Sequence, residues 1–424
     1  YKYIWETGSR EKFQEVLSAS YKKRLDLHVV RDPKEALMIK DGLTYFKEMK
    51  VEDVSVLSFD IETTGLTHDK DSCVLLISNT FRRGGKIERK LFSVDEYPTC
   101  AHMIRAWCDF VREKNPSVLV GHNLFGFDLP YLDFCSNGGL HLGRDGSPAR
   151  FSHRTSQFRK DGSQAYDYRN VLVYGREIVD TFFLAIKYDI GRAYESYGLK
   201  AIIKHEGLER PGRQHYDASK IREDFASEEK RKLIKAYAID DADDALKLYD
   251  LMIPSFFYYT QSVPRSFQQI INSATGSQIN SLMVRAYLQQ GYSIARGSEA
   301  VEYEGAISFG VPGLHKNVFR IDVASLYPSV IRQYKVYSKE KDPQGLFLQL
   351  VESFTLERLK NKKLGKETGE RYFKDLEQSQ KIAINSMYGA LGAPKLNYNY
   401  PKGAAEVTRH GRRILTETIK ILTG

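Results

Sequence analysis

The chain has 424 residues, 42% hydrophobic and 28% charged, a length that exceeds one compact core and suggests two or three domains. A formal net charge of +9 favours a polyanionic partner, and no apolar run of membrane-spanning length or signal-peptide pattern points to a membrane or secretory route. Four cysteines, Cys73, Cys100, Cys108 and Cys135, show no CxxC or metal spacing and fit an intracellular, reducing compartment.

In chain order, residues 1–50 mix helix-like and strand-like stretches and read as a short N-terminal domain. Val54 to Phe59 then reads as a buried strand running into Asp60-Ile61-Glu62, where the period of 2 puts both carboxylates on one face. Two carboxylates side by side repel unless a cation neutralises them, although a surface pair on an edge strand would look the same. A second apolar run, Ser117 to Val120, delivers Asn123, Phe127 and Asp128; Phe127 could equally be a core residue. Residues 143–175 carry several turn signals and little periodicity, as a β-ribbon beside a site would. Further on, Tyr237 and Asp241 stand four apart on a helix and point the same way. Their neighbours Asp240, Asp243 and Asp244 read as helix-surface acids, and Asp180, between a strand and a helix, as structural.

The second half opens with helical periodicity over Ser266 to Gln290, followed by a turn at Tyr303-Glu304-Gly305. An apolar strand over Val318 to Ile321 leads into Asp322, three residues ahead of Ser325-Leu326-Tyr327-Pro328. Here the acid can hold Mg²⁺, the turn can offer backbone N–H groups to a triphosphate, and the Tyr ring can close a sugar pocket. Arg358 and Lys362, four apart on a predicted helix, can reach one phosphate group. In a helix, Lys381, Asn385 and Tyr388 share one face, and near the C-terminus Thr408 and Arg412 lie in a basic cluster.

Taken together these strings resemble the B-family DNA polymerases. Asp322 to Ser329 reads D-x-x-S-L-Y-P-S, the family's motif A, and Lys381 to Gly389 reads K-x-x-x-N-S-x-Y-G, its motif B. The first half holds the three exonuclease motifs of proofreading members in order: D-x-E at Asp60 and Glu62, N-x-x-x-F-D at Asn123 to Asp128, and Y-x-x-x-D at Tyr237 and Asp241. The resemblance implies an α/β (α+β) multidomain chain, in which an RNase H-like 3′→5′ exonuclease domain precedes a partial palm and helical fingers of a right-hand polymerase. It implies two Mg²⁺ (or Mn²⁺) ions per active site, held by Asp60, Glu62, Asp128 and Asp241 for hydrolysis and by Asp322 for synthesis. Tyr237 would orient the attacking water, and Thr63, Asn123 and Phe127 would meet the frayed primer end.

On the synthetic side, the same resemblance assigns Ser325, Leu326, Tyr327, Arg358, Lys362, Lys381, Asn385 and Tyr388 to the incoming dNTP. Tyr327 would exclude a 2′-hydroxyl. Tyr303 and Gly305 would pass the primer end between the two centres, with Thr408 and Arg412 on the phosphates of the primer-template duplex. The expected domains are an exonuclease domain over 51–254, a helical connector and start of palm over 255–310, palm with motif A over 311–345, fingers over 346–392 and palm again over 393–424. No Asp-Thr-Asp of motif C follows motif B, so the expectation is an exonuclease-competent chain, phage-like in its short N-terminal region, that depends on further polypeptide, such as a complementary chain carrying motif C and thumb, for synthesis. A free-standing DEDD-type exonuclease with a DNA-binding second half, and a non-enzymatic scaffold, are the competing readings.

Overall fold

The structure is a computed structural model that describes residues 1, 3–160, 164–308, 310–319, 321–323 and 325–423. It divides into two compact units, one of residues 46–257 and 267–273, the other of residues 1–45, 258–266 and 274–424. The first includes all of the residues 51–254. Residues 1–45 do not form a compact unit of their own but cluster with the C-terminal half. Their helices are α1 (Arg10–Lys22) and α2 (Pro33–Asp41); α2 starts well because Asp32 caps the N–H groups of Lys34 and Glu35 and Pro33 sits where no donor is needed. Glu35 on α2 is buried and tied to Arg265 at 3.1 Å and to the Ser281 hydroxyl at 2.7 Å, which explains why this segment belongs to that unit.

The first unit is built on a five-stranded sheet in the order β3-β2-β1-β4-β7, formed from β1 (Val56–Thr63), β2 (Val74–Arg83), β3 (Lys86–Ser93), β4 (Val118–Gly121) and β7 (Glu177–Asp180). β1, β2 and β3 form an antiparallel meander, while β4 and β7 add in parallel on the other side of β1. β1 is therefore central, and its apolar run is buried on both faces as a covered strand requires. β3 is the edge, and its exposed Lys, Glu and Arg residues discourage pairing with another chain. Gly121 ends β4 where a Cβ would come 2.7 Å from the Phe59 carbonyl, so the close approach of the chain to β1 depends on it.

Helix α3 (Cys100–Lys114) buries Met103, Ile104, Trp107 and Val111 in this unit's core, with Trp107 5.0 Å ring to ring from Phe59 and donating its indole N–H to Asn79. After α4 (Leu129–Cys135), strands β5 (Arg150–Lys160) and β6 (Gln164–Leu172) pair as the expected antiparallel ribbon, whose residues 161–163 lie outside the described set. The remaining helices are α5 (Thr181–Tyr188), α6 (Leu199–His205), α7 (Ile221–Asp224), α8 (Glu228–Thr260) and α9 (Phe267–Asn272).

In the second unit, α10 (Thr275–Gln289), α11 (Leu326–Tyr334), α12 (Leu346–Thr368), α13 (Arg371–Gly392) and α14 (Pro401–Thr423) pack together, and α12 and α13 form the antiparallel pair expected of fingers helices. The palm strand expected over Val318 to Ile321 is not formed at its described residues. Val318, Phe319 and Ile321 lie 60% or more exposed, with no strand alongside them among the described residues. An extended segment with no ladder partner gains no hydrogen bonds from strand geometry, so apolar sequence alone does not hold it there.

Candidate exonuclease and nucleotide sites

The structure brings the acids of the first unit together. Asp60 and Glu62 project from the central strand β1, opposite Ser78 and Leu76 of β2, and Asp241 reaches them from α8. One ligand oxygen from each of these three lies within 4.8 Å of the others, the one such group of three or more candidate metal ligands among the described residues. Asp128 closes a π-helical turn, Leu124–Asp128, that follows β4, and is near enough to raise the carboxyls of both Asp60 and Glu62.

Asp180 holds that turn in place. Fully buried at the end of β7, it accepts N–H bonds from Asn123 at 2.8 Å, Phe125 at 3.1 Å and Phe182 at 3.0 Å, capping α5 while fixing the loop that aims Asp128. Burial pushes Asp180 up to about 6, against the opposing pull of these donors. Its structural reading from sequence agrees with this geometry.

Crowded carboxylates in a low-dielectric site hold their protons tightly. Burial is the largest cause for each acid here: it pushes Asp60 well up, helped by Asp128, Asp241 and Glu62, and pushes Glu62 up to about 8, helped by Asp241. Asp128 is likewise pushed up to about 8 by burial and then by Asp180. Asp241 rises by burial, opposed by Lys200 and Arg213. Tyr237, one turn before Asp241, is also pushed up by burial and the surrounding acids, so its phenol stays protonated while its oxygen accepts from Lys200.

Two basic residues absent from the sequence reading complete this centre. Lys200 on α6 bonds the Tyr237 hydroxyl, lies 4.3 Å from the Tyr237 ring centroid and stands 3.7 Å from Asp241. Arg213, its side chain buried, pairs with Asp241 and, at 2.6 Å, with Asp244. A single Lys or Arg in a loop-rich stretch carries no sequence pattern, so only the chain fold reveals them. The three acids read as surface groups are corrected by the structure: Asp240, Asp243 and Asp244 are 1%, 8% and 1% exposed. Each found a cation or donor, Asp240 from Arg210, Asp243 from Arg89 and the Thr80 hydroxyl, and Asp244 from Arg213 and Lys247.

Beside Asn123 lies a cavity of about 480 Å³ lined by His122, Tyr166, Tyr168, Phe182 and Phe183 among others, with β6 as one wall. Asn123 is exposed in the left-handed region, while Phe127 is half-buried with its ring 5.4 Å from that of Tyr131. His122 is pushed down to about 4 by burial, so it is neutral between its Thr181 and Tyr197 partners. Thr63 is half-buried and donates its hydroxyl to the Gly65 carbonyl.

In the second unit the motif residues are partly assembled. Tyr327 on α11 and Tyr388 on α13 pack with centroids 4.5 Å apart and rings tilted by 47°, and Tyr303 reaches the Tyr388 hydroxyl at 3.4 Å. Ser325 caps α11 in the left-handed region and accepts from Arg358 at 2.5 Å, while Arg358 also pairs with Glu377. Leu326 opens α11. Lys362 is exposed on α12, and Lys381 half-buried and Asn385 exposed on α13 share a face with Tyr388.

Asp322 is exposed in an irregular segment, and Ala324 of the same motif lies outside the described residues. The assignment of Thr408 to duplex phosphates is corrected. Thr408 is 1% exposed and gives its hydroxyl to the Glu304 carbonyl, and Arg412 donates to the Glu304 and Gly305 carbonyls and pairs with the Glu304 carboxylate. Both side chains therefore fasten the Tyr303-Gly305 turn to α14, because a turn with free carbonyls is the nearer acceptor.

Comparison with known proteins agrees with this geometry. Residues 31–202 match the family described as DNA polymerase family B, exonuclease domain. The chain is 26% identical over 413 residues to a DNA polymerase of Thermococcus gorgonarius, covering 87% of this chain and 51% of that protein. It is 25% identical over 449 residues to the DNA polymerase delta catalytic subunit of Glycine max, covering 88% and 40% respectively. The solved family B DNA polymerase of Pyrobaculum calidifontis superposes with a TM-score of 0.75 at 21% identity, over 93% of this chain and 58% of that one. These matches define a DNA polymerase class that carries an exonuclease domain. Residues 31–202 are thus similar to the exonuclease domain of the family B DNA polymerases, and the chain spans about half the length of the curated relatives it matches, between 40% and 51% for these two.

Proposed function

We propose that this chain carries a 3′→5′ exonuclease that edits a DNA primer end, joined to part of a template-directed polymerase. The observation that supports this most is the meeting of Asp60, Glu62 and Asp241 within 4.8 Å, with Asp128 beside them, a crowd of four carboxyls against the two cations Lys200 and Arg213. An all-carboxylate oxygen donor set suits hard divalent ions such as Mg²⁺ or Mn²⁺, so the residues fit the pair of metals expected of a nuclease centre. Asp60, Glu62, Asp128 and Asp241 would hold such ions, which would supply charge neutralisation and a lowered pKa for a nucleophilic water.

The chain's own groups divide the remaining work. Tyr237 and Lys200 supply protons and positive charge at the mouth of the acid cluster, where they can orient a water and a scissile phosphate. Asn123, Thr63 and Phe127 stand where a primer 3′ end would enter, and the aromatic cavity beside Asn123 has room for an unpaired base to stack. Primer-template DNA is thus the proposed substrate.

On the synthetic side, Ser325, Leu326, Tyr327, Arg358, Lys362, Lys381, Asn385 and Tyr388 are proposed to receive a dNTP, with Asp322 as a metal ligand. Among the described residues no group of three candidate ligands forms around Asp322. A second carboxylate beside Asp322 is proposed as the partner ligand for extension. The test is a Mg²⁺ assay on a 5′-labelled primer-template with and without dNTPs. Shortening from the 3′ end in both conditions supports the proposal; extension by this chain alone, or no shortening, overturns the corresponding half of it.

A further inference from the structure

Three of the four cysteines, scattered in sequence at 73, 100 and 135, meet in space on the first unit. Cys100 opens α3, where its sulfur accepts the Val74 N–H at 3.2 Å, while the Cys73 thiol donates to the Val74 carbonyl at 3.4 Å, so both sulfurs gather on one residue. Cys135, the last residue of α4, points its sulfur to the Ser72 carbonyl at 3.6 Å. All three are half-buried, so a small solute can reach them, whereas Cys108 is buried and pushed up to about 12 by its burial.

This arrangement favours one thiolate over its neighbours. Cys100 accepts a backbone N–H at a helix N-terminus, whereas the Cys73 and Cys135 thiols donate to carbonyls; it is held down to about 3, chiefly by Cys135 and then Cys73. Cys73 and Cys135 are both pushed up, chiefly by Cys100, and so keep their protons. An anionic sulfur beside two protonated thiols, all three gathered around residues 72–74, is what an oxidisable pair needs.

We propose that Cys100, Cys73 and Cys135 form a peroxide-sensitive modification site, in which Cys100 is oxidised first and one flanking cysteine resolves it as an intrachain disulfide. The Cys100 sulfur attacks a peroxide oxygen; the O–O bond breaks, and the departing hydroxide takes a proton to become water, leaving a sulfenic acid. A flanking thiol, giving up its proton, then attacks that sulfur. The S–S bond forms, the S–O bond breaks and a second water leaves, so two thiols and one hydrogen peroxide give one disulfide and two waters.

In a reducing compartment the thiols are the resting form and the disulfide is transient. Its position has a structural consequence: Cys73 exchanges backbone N–H and carbonyl bonds with Thr64, so the disulfide would lock the foot of the loop that follows Glu62 and Thr63. This site stands independently of the proposed nuclease and polymerase reactions.

The test counts thiols in the denatured chain before and after about one equivalent of hydrogen peroxide, given to the folded protein, with peptide mapping by mass. The expected result is a fall from four thiols to about two, restored by dithiothreitol, with Cys100 linked to Cys73 or Cys135. Cys108→Ser should still lose about two thiols, and Cys100→Ser should lose none at the same dose. The double variant Cys73→Ser with Cys135→Ser should trap a sulfenic acid on Cys100 that dimedone labels, a readout that does not depend on Cys100→Ser folding. Four thiols surviving in the parent chain, loss undiminished in Cys100→Ser, or no dimedone adduct in the folded double variant would overturn the proposal.

Discussion

The two candidate sites differ in how the chain positions their acids. In the first unit, each acid is delivered by a regular element with neighbours on both sides: a central strand, a turn pinned by Asp180, and a long helix. In the second, the aromatic and basic residues sit on packed helices, whereas Asp322 lies exposed in an irregular segment. A metal-binding carboxylate is positioned by the backbone beneath it, so the lesson is that motif identity and site assembly are separable. An acid on an unpaired segment keeps its chemistry but loses its aim.

The sharpest way to break this comparison is to remove one acid from each region. Asp60→Ala should lower 3′-end degradation at least about 100-fold, because losing a metal ligand costs no less than losing a group that supports one. Asp322→Ala should leave the same gel assay unchanged. Equal losses in the two variants would show that the regions share one centre.

Lys200→Ala comes next, with an expected fall of about 10- to 100-fold in exonuclease kcat. Lys200 lowers the carboxyls of Asp60, Glu62 and Asp241, so its removal raises them further and moves the acid limb of the pH–rate profile to higher pH. An unshifted limb with reduced kcat would assign Lys200 to substrate binding alone.

A thermal measurement probes the same acids without turnover. Glu62 and Asp128 rise from ordinary values of 4.5 and 3.8 to about 8 in the folded chain, so the folded state binds more protons than the unfolded one across that interval. Stability in chelator is therefore fullest below the unfolded values, falls as pH rises from about 4 to about 8, and levels above it. Adding Mg²⁺ at pH 8 should raise Tm, and Asp60→Asn should shrink both the pH slope and the Mg²⁺ response.

The smallest expected effect concerns the second unit. Thr408→Val removes a buried hydroxyl bond to Glu304 and should cost about 1 kcal/mol in denaturant unfolding, with no change in the salt dependence of DNA binding. A lowered salt slope would restore Thr408 as a phosphate contact.

Much of the carboxylate cluster was legible because its determinants are local. The period of 2 through Asp60 and Glu62, and the four-residue spacing of Tyr237 and Asp241, survive into β1 and α8 unchanged. What stayed hidden depends on long-range closure. Lys200 and Arg213 reach Asp241 from segments with no periodicity, and Asp240, Asp243 and Asp244 look solvent-facing until Arg210, Arg89 and Arg213 arrive from distant loops and strands. The failed strand at Val318 to Ile321 has the same origin, since apolar sequence proposes a strand but only a partner strand makes one.

Asp180 carries an implication for tracing the lineage of this turn. Two of the three donors it satisfies, Asn123 and Phe125, lie in the segment leading to Asp128, and the side chain that fixes them is contributed from 57 and 55 positions away. Mutational drift inside the turn can thus proceed while its shape persists, provided the remote carboxylate is kept. Ancestry in this stretch should be recorded as a paired inheritance of two distant sites, and descendants that lose Asp180 should scatter their turn sequences with no common geometry left to restrain them.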